Sequence, residues 1–484
     1  METPEFCRIA RNHLWLILGM ATLWFSLMVS PYYPASLSPA LTMGDVAVVS
    51  GRHFVYGLLL IAAFVGLILG REGIGAERSW VVPSAAALAG AAGSLICFLA
   101  PAQGHQSAIL ETAALVLTAV YVAFYFIAWL RLASQCGPQG AVVIIGVSFG
   151  LFSIAWSVLI AAGGVLCDAF GVLCPLLAGL CLHFGLRRTD DFEAPASDRP
   201  ASLRVLPWSV AILCVVFIYF GTLAVRLFTT MGVGAANIGV LGTVPQLVTS
   251  LGGLVIVAAF TAVFARRDAS SLNVVSTVAV LALVNMGALL VVMLANPAGP
   301  FVLIAKRVLV AAEHSAEVLL IAVLAYETAR RRLSGILVFG LAGIVVVVGP
   351  QVVALNIMHA TGLLDLLSES PYVAPLAAVG AFGIAGAAIV MLIKYSGGAV
   401  ARSRIQSEQW PEELCREATA AYEVTPRELE VVTYTYRGYS AKKIAETLLV
   451  SESTVKAHLT HAYRKLGVHT KQELIALVDS YRRH

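Results

Sequence analysis

Long apolar runs alternate with short polar connections from residue 13 to residue 395, after which the pattern changes to amphipathic segments of ordinary helix length. About twelve runs can be placed: 13–33, 51–70, 80–100, 107–131, 141–162, 164–186, 205–226, 238–265, 272–295, 301–328, 334–360 and 371–395. Each has the roughly 20 residues that an α-helix needs to cross about 30 Å of hydrocarbon. With no water there to pair backbone groups, such runs must be helices. The expected fold class is therefore all-α, a polytopic bundle of about twelve transmembrane helices followed by a small helical domain. Arg8 and Arg11 precede the first run in the manner of a secretory signal, but the run is longer than an h-region and many spans follow. It reads as a retained first helix.

The longest cytoplasmic connection between spans, RRTDDFEAPASDRPASLR at 187–204, divides them six and six. The halves fall at about 10–186 and 205–395. Even-numbered connections carry Arg71 and Arg78, Arg131, Arg187 and Arg188 with Arg199 and Arg204, Arg266 and Arg267, and Arg330 to Arg332. Odd-numbered ones, such as ANPAGP at 295–300, carry almost none. By the positive-inside rule both termini lie in the cytoplasm, which suits the inner membrane of a bacterium. Two six-helix halves around a central cytoplasmic loop resemble the major facilitator superfamily. Its signature between helices two and three is Gly-x-x-x-Asp-Arg-x-Gly-Arg-Arg, where this chain has Gly70-Arg-Glu-Gly-Ile-Gly-Ala-Glu-Arg78, without the Asp-Arg pair or the Arg doublet. The departure argues against active transport while leaving the fold in place.

Charge sharpens the division. The chain has 32 Lys and Arg and 28 Asp and Glu in 484 residues, 12%, against about 25% in a soluble domain. Of these, 38 lie in the first 404 residues and 22 in the last 80. The larger part cannot build a water-soluble surface, which excludes an ordinary soluble enzyme. Cys167, Cys174 and Cys181 recur every seven residues without a CxxC or Cys/His cluster, as small packing residues would. No nucleophile and base set, phosphate loop or metal signature is present, so neither catalysis, a cofactor nor a metal site is expected.

Charges inside spans are expensive, and the tenth run concentrates them: Lys306, Arg307, Glu313, His314 and Glu317 lie on one side of a helix turning about 100° per residue. Two readings stand. The first is a buried ion-pair network, with Lys306 or Arg307 paired to the glutamates, that fixes helix orientation. The second is a ligand or proton site between the halves. Arg52 and Arg226, near the outer ends of their spans, either snorkel to the interface or contribute to an outward-facing anion pocket.

Past a segment at 396–423 that opens with Ser-Gly-Gly and reads as a linker, residues 424–484 predict four helices. Thr425-Pro-Arg-Glu428 is a capping box with Pro at the first helical position, and Gly438 stops that helix. Ser440 caps a second helix, Val450 makes a turn, and Ser451 caps a third that ends at Gly467. Thr470 to Glu473 forms another capping box. Leu429, Val432, Ile444, Leu448, Val455, Leu459 and Leu466 supply a core. A short helix, a tight turn and a helix with basic and hydroxyl residues outward make a helix-turn-helix, whose second helix enters the major groove.

Residues 424–475 resemble the LuxR-type (LuxR/FixJ, GerE-like) DNA-binding domain along their whole length. The likeness rests on Thr425-Pro-Arg-Glu428, Gly438-Tyr-Ser440, Lys443-Ile-Ala445, Val450-Ser-Glu-Ser-Thr-Val-Lys456, His458 and Lys465-Leu-Gly-Val468. It implies base-edge contacts from Lys456, Ala457 and Thr460. It also implies phosphate contacts from Ser440, Lys442, Ser453, Thr454, His461, Arg464 and Lys465, and dimers on inverted half-sites. Tyr434 and Tyr436 replace the commoner Leu or Ala types, and Lys471 a usual Arg.

Together these features predict a membrane-embedded one-component regulator, not an enzyme. Its bundle senses a small molecule or a membrane condition, and its tail binds double-stranded promoter DNA, with RNA polymerase a further partner. The alternatives are a secondary transporter with a regulatory tail and a membrane anchor that senses nothing.

Overall fold

The computed structural model describes residues 13–28, 43–70, 81–99, 108–162, 164–187, 206–230, 243–266, 271–294, 300–352, 366 and 372–481. Every described element is helical. The chain divides into two compact units, Met1–Leu392 and Ile393–His484.

The first half of the larger unit contains α1 (Leu14–Met28), α2 (Met43–Leu69), α3 (Val81–Leu99), α4 (Ala108–Gln135), α5 (Pro138–Ala162) and α6 (Gly164–Arg187). The second half contains α7 (Trp208–Thr230), α8 (Thr243–Arg266), α9 (Ser271–Leu294), α10 (Pro300–Arg331), α11 and the start of α12. Helix α11 runs as Gly335–Ala342, passes through a π-helical turn at Gly343–Val348 and closes at Gly349–Gln351. Among the described residues, eight helices are long and apolar enough to cross a membrane and four shorter apolar ones accompany them. Among the described residues, each of the twelve predicted runs contributes a helix. Arg71, Arg78 and the central loop 188–204 lie outside the described residues.

Within the first half, α1 packs on α4, α5 and α6, while α3 packs on α4 and α6. In the second half α10 is the hub, touching α7, α8, α9 and α11. The halves meet where α5 lies along α8 and α10, and where α11 lies along α2 and α4. Glycine makes both crossings possible. A Cβ on Gly146 of α5 would overlap the Thr261 hydroxyl of α8, and one on Gly343, in the π-helical turn of α11, would overlap the Phe64 ring of α2. Without water to drive association, such close backbone approach supplies the packing that holds membrane helices together. The cysteine row at Cys167, Cys174 and Cys181 is buried along α6.

Helix α12 spans Val373–Thr419, so helix continues through the Ser-Gly-Gly read from sequence as the start of a linker. Gly in a helix costs only about 1 kcal/mol against Ala. The amphipathic end of the helix offsets that cost, because Leu414, Cys415 and Ala418 are buried in the core of the smaller unit. That unit continues with α13 (Pro426–Tyr436), α14 (Ala441–Leu448), α15 (Glu452–Leu466) and α16 (Lys471–Ser480). One cluster joins Val432, Ala462, Leu466, Val468, Leu474 and Val478 to the end of α12. A second holds Val431, Ile444, Ala445 and Val455.

The crossing of the halves is testable. Gly146→Val should lower the thermal midpoint of the detergent-solubilised protein by an amount corresponding to about 1 to 3 kcal/mol of overpacking. Gly66→Ala, which meets nothing within 4 Å, should leave it within error. Equal midpoints would show that the α5–α8 approach is not a packing constraint.

Candidate nucleic-acid interface and intramembrane charge cluster

In the smaller unit the caps set the geometry. Thr425 accepts a hydrogen bond from the Glu428 N–H at 3.3 Å, and the Thr425 N–H donates to Glu428 Oε2 at 2.8 Å, completing the reciprocal box. Ser440 Oγ accepts from the Lys443 N–H, and Ser451 Oγ from the Thr454 N–H at 3.1 Å. Between α14 and α15 the chain turns at Leu449, which has φ 54° and a left-handed conformation. An L-residue pays for this conformation with steric strain, and Leu449 is 92% exposed. The turn therefore forms at Leu449, one residue earlier than the Val450 expected from sequence, and Val450 packs against the second core cluster.

Val455, Ala462 and Leu466 of α15 are buried, whereas Lys456, Ala457, Thr460, His461 and Arg464 are exposed together on the opposite face. Ser453 and Lys442 are exposed, Ser440 is exposed at the start of α14, and Thr454 is half-buried. The Lys456 ammonium pairs with Glu452 at 2.7 Å, and its hydrogen bond together with its charge holds the Glu452 carboxyl below its ordinary range. An exposed i, i+4 pair of this kind is weak and screened by solvent, so the Lys456 ammonium exchanges readily to another acceptor. The Thr460 hydroxyl donates to the Lys456 carbonyl at 2.9 Å, which leaves its lone pairs for an outside donor. Lys465 is placed differently from the rest. Its ammonium donates to Glu428 Oε2 at 2.8 Å and is only 29% exposed, so it braces α15 against the α13 cap.

The two tyrosines that depart from the family pattern have structural partners. Tyr434 stacks on Tyr439 at 5.5 Å with the Arg437 guanidinium 6.0 Å from its ring centre, and Tyr436 donates to Asp479 Oδ1 at 2.6 Å, tying α13 to α16.

In the bundle, α10 turns its charges inward: Glu313 is 3%, Glu317 6% and Arg307 7% exposed, while Phe301 at 72% and Ile304 at 48% face outward. His314 and Lys306 are half-buried. The Thr222 hydroxyl of α7 donates to Glu313 Oε1 and also lies 3.0 Å from the Ile218 carbonyl. Asn285 of α9 is buried close by, since a Cβ on Gly221 would sit 3.6 Å from Glu313 Cβ and 4.0 Å from Asn285 Nδ2. The pairing of Lys306 or Arg307 with the glutamates expected from sequence is not formed, and Arg307 Nη2 is buried without a hydrogen-bond partner. Helical rise is the reason: six and seven residues separate these cations from Glu313, about 9 to 10.5 Å along the axis. The side chains of Arg52 and Arg226 lie outside the described residues. Thr222 and Asn285 escaped the sequence reading because they are uncharged, and so did Glu327, which is buried and ion-paired with Arg330 and Arg331. Their only signal in the chain is a polar residue inside an apolar run. Among the described residues no group of three or more His, Cys, Asp or Glu could hold a metal ion.

These two units define the class: a multi-pass membrane protein of major-facilitator-like fold carrying a C-terminal LuxR-type helix-turn-helix domain, a domain that acts in transcription regulation. Residues 423–478 match the bacterial regulatory proteins, luxR family. The same region is 48% identical over 52 residues to the oxygen regulatory protein NreC of Staphylococcus aureus strains JH9 and USA300. That likeness covers 11% of this chain and 24% of the relative, so the chain spans about a quarter of the relative's length. By fold, the chain is similar to a bacterial homologue of the iron transporter ferroportin in an outward-facing state, with TM-score 0.51 and 13% identity over 79% of this chain and 98% of that one. It is also similar to the major facilitator superfamily transporter FucP in the outward conformation, with TM-score 0.50 and 16% identity over 80% and 98%. At such identities the likeness concerns the fold alone.

The capping box makes the tail acid-sensitive. Burial pushes the Glu428 carboxyl up, but hydrogen bonds from Lys465 and Thr425 and the Lys465 charge outweigh it and hold the group at about 2, below the unfolded 4.5. A depressed folded value stabilises the tail fully above about pH 4.5, and the contribution is lost as pH falls toward 2. Glu428→Gln in the 393–484 unit should cost about 1 to 3 kcal/mol at pH 7 and flatten the fall in stability below pH 4.5. A variant with the wild-type acid midpoint would remove Glu428 from that role.

Proposed function

We propose that this protein is a membrane-embedded one-component transcriptional regulator: the bundle senses a small molecule or membrane condition, and the tail converts that state into altered binding of promoter DNA. The observation that carries the reading is the joining, in one chain, of a solvent-facing recognition helix to a bundle that buries charge at its centre. Lys456, Ala457 and Thr460 read base edges. Ser440, Lys442, Ser453, Thr454, His461 and Arg464 meet phosphates, with Lys465 holding α15 in place for them. The Arg-rich even-numbered connections support an inner-membrane location with both termini cytoplasmic, where the tail meets DNA. The tail binds inverted half-sites as a dimer, and RNA polymerase is the partner through which an activator would act. Catalysis plays no part in this reading.

A ligand shifts DNA binding only by its differential affinity for two states of the bundle, and a tenfold change in promoter occupancy needs about 1.4 kcal/mol of coupling. The segment 396–423 transmits it. The transporter-like fold favours a second reading, transport with regulation added. Against it stands the altered 70–78 connection, and Glu313-dependent counterflow in vesicles would establish it.

Two substitutions separate the parts. Lys456→Ala should cost about 1 to 3 kcal/mol of specific DNA binding by the tail; binding equal to wild type would remove Lys456 from the groove. Glu313→Gln should change the induction ratio of a target promoter in cells and leave DNA binding by the isolated tail unaltered. Should an unrelated membrane anchor replace the bundle with induction intact, sensing by these helices is refuted.

A further inference from the structure

The turn between α14 and α15 is short, strained and held from a third helix. Leu448 ends α14 and Ser451 caps α15, so Leu449 and Val450 alone set the angle between the two helices. Leu449 stands in the left-handed conformation at φ 54°, and its side chain is 92% exposed, so little packing offsets the steric strain. The Ala445 carbonyl accepts from the N–H groups of Leu449 and Val450. The Leu448 carbonyl, at the very end of α14, has no partner inside the helix. Arg427, the second residue of α13, supplies one from 21 residues away: its Nη2 donates to the Leu448 oxygen at 3.0 Å, and its Nη1 donates to Glu430 Oε2 at 2.6 Å. The Glu430 contact keeps the guanidinium in place beside the turn. A cation there also meets the negative pole of the α14 dipole.

We propose that Arg427 is a positioning residue for DNA recognition: it fixes the α14–α15 turn, and with it the angle at which Lys456, Ala457 and Thr460 are presented, without touching DNA itself. The inference rests on the reading of α15 as the recognition helix and specifies what holds that helix in place. Val450 packs on the cluster of Val431, Ile444, Ala445 and Val455, and the Ser451 cap follows at once. Were Leu449 to relax into the right-handed region, the chain would continue α14 and carry Val450 and the cap in another direction. The guanidinium opposes that relaxation, because a hydrogen bond from a charged donor to the last carbonyl of α14 is of the stronger kind. Base contacts tolerate little movement, since a recognising side chain must be held within about 0.5 Å of its productive geometry. Phosphate contacts position the protein but carry no sequence information. Loss of the brace therefore weakens discrimination between sequences more than it weakens binding to DNA as such.

The test uses the full-length protein in nanodiscs and two DNA probes, a duplex enriched by the wild-type protein from a randomised pool and the unselected pool itself. Arg427→Met should lower the preference for the enriched duplex about tenfold, the scale of one lost hydrogen bond to a charged group. Binding to the unselected pool, and the dependence of affinity on salt, should stay as in wild type. Hydrogen exchange across residues 446–452 should quicken by a similar factor. Tyr436→Phe, which removes the α13–α16 hydrogen bond instead, should change neither the preference nor that exchange. Leu449→Gly takes the left-handed conformation without strain, so in the Arg427→Met background it should recover most of the lost preference. Arg427→Lys, which lacks the fork to reach both Leu448 and Glu430, replaces Arg427→Met if the latter does not fold. Wild-type preference and exchange in the Arg427 variant overturn the inference, as does a loss that Leu449→Gly fails to recover. Equal weakening on both probes with a salt slope smaller by about one makes Arg427 a phosphate ligand and overturns it as well. If the wild-type protein enriches no sequence, the recognition reading of α15 falls, and the brace falls with it.

Discussion

The hydrocarbon interior supplies no hydrogen-bonding partner, and most of this structure follows from that. Backbone groups must pair within their own segment, so the described part of the first 392 residues is a stack of helices. Side-chain charges must turn toward one another or toward an interior cavity, so α10 places Arg307, Glu313 and Glu317 inside the bundle and Phe301 outside. With no hydrophobic force between apolar helices, close approach replaces it. The crossings of the two halves accordingly pass through Gly146 and Gly343, where a side chain would strike Thr261 or Phe64.

The smaller unit obeys the opposite solvent. Water pairs whatever the chain leaves exposed, so its helix ends are set by local caps and its core by a narrow apolar stripe on each helix. Thr425, Ser440, Ser451 and Thr470 each cap a helix through the oxygen of a short side chain. A defined outward face on α15 results. With Val455, Ala462 and Leu466 buried, Lys456, Ala457 and Thr460 must face out, and Lys465 falls at the edge, where Glu428 captures it.

The two kinds of site differ in how much local pattern can say about them. An exposed helix face is the complement of a core stripe, and periodicity along α15 is enough to define it. An intramembrane site is assembled from helices far apart in the chain. Glu313 meets Thr222 across 91 residues, and Asn285 joins them only where α7, α9 and α10 come together. Uncharged polar residues inside apolar runs carry no local mark of such a role.

The sequence by itself determined the succession of apolar helices, the caps of the four tail helices and the outward face of α15, because each depends on hydrophobic period or on side chains within four positions of one another. The tertiary structure decided three other things. It carried α12 through Ser-Gly-Gly to bury Leu414, Cys415 and Ala418 in the tail, assigned Lys465 to Glu428, and kept Arg307 from pairing with the acids below it. Each turns on distances between groups remote in the chain, or on a helical rise of 1.5 Å per residue that sets how far apart two charges on one helix must stand.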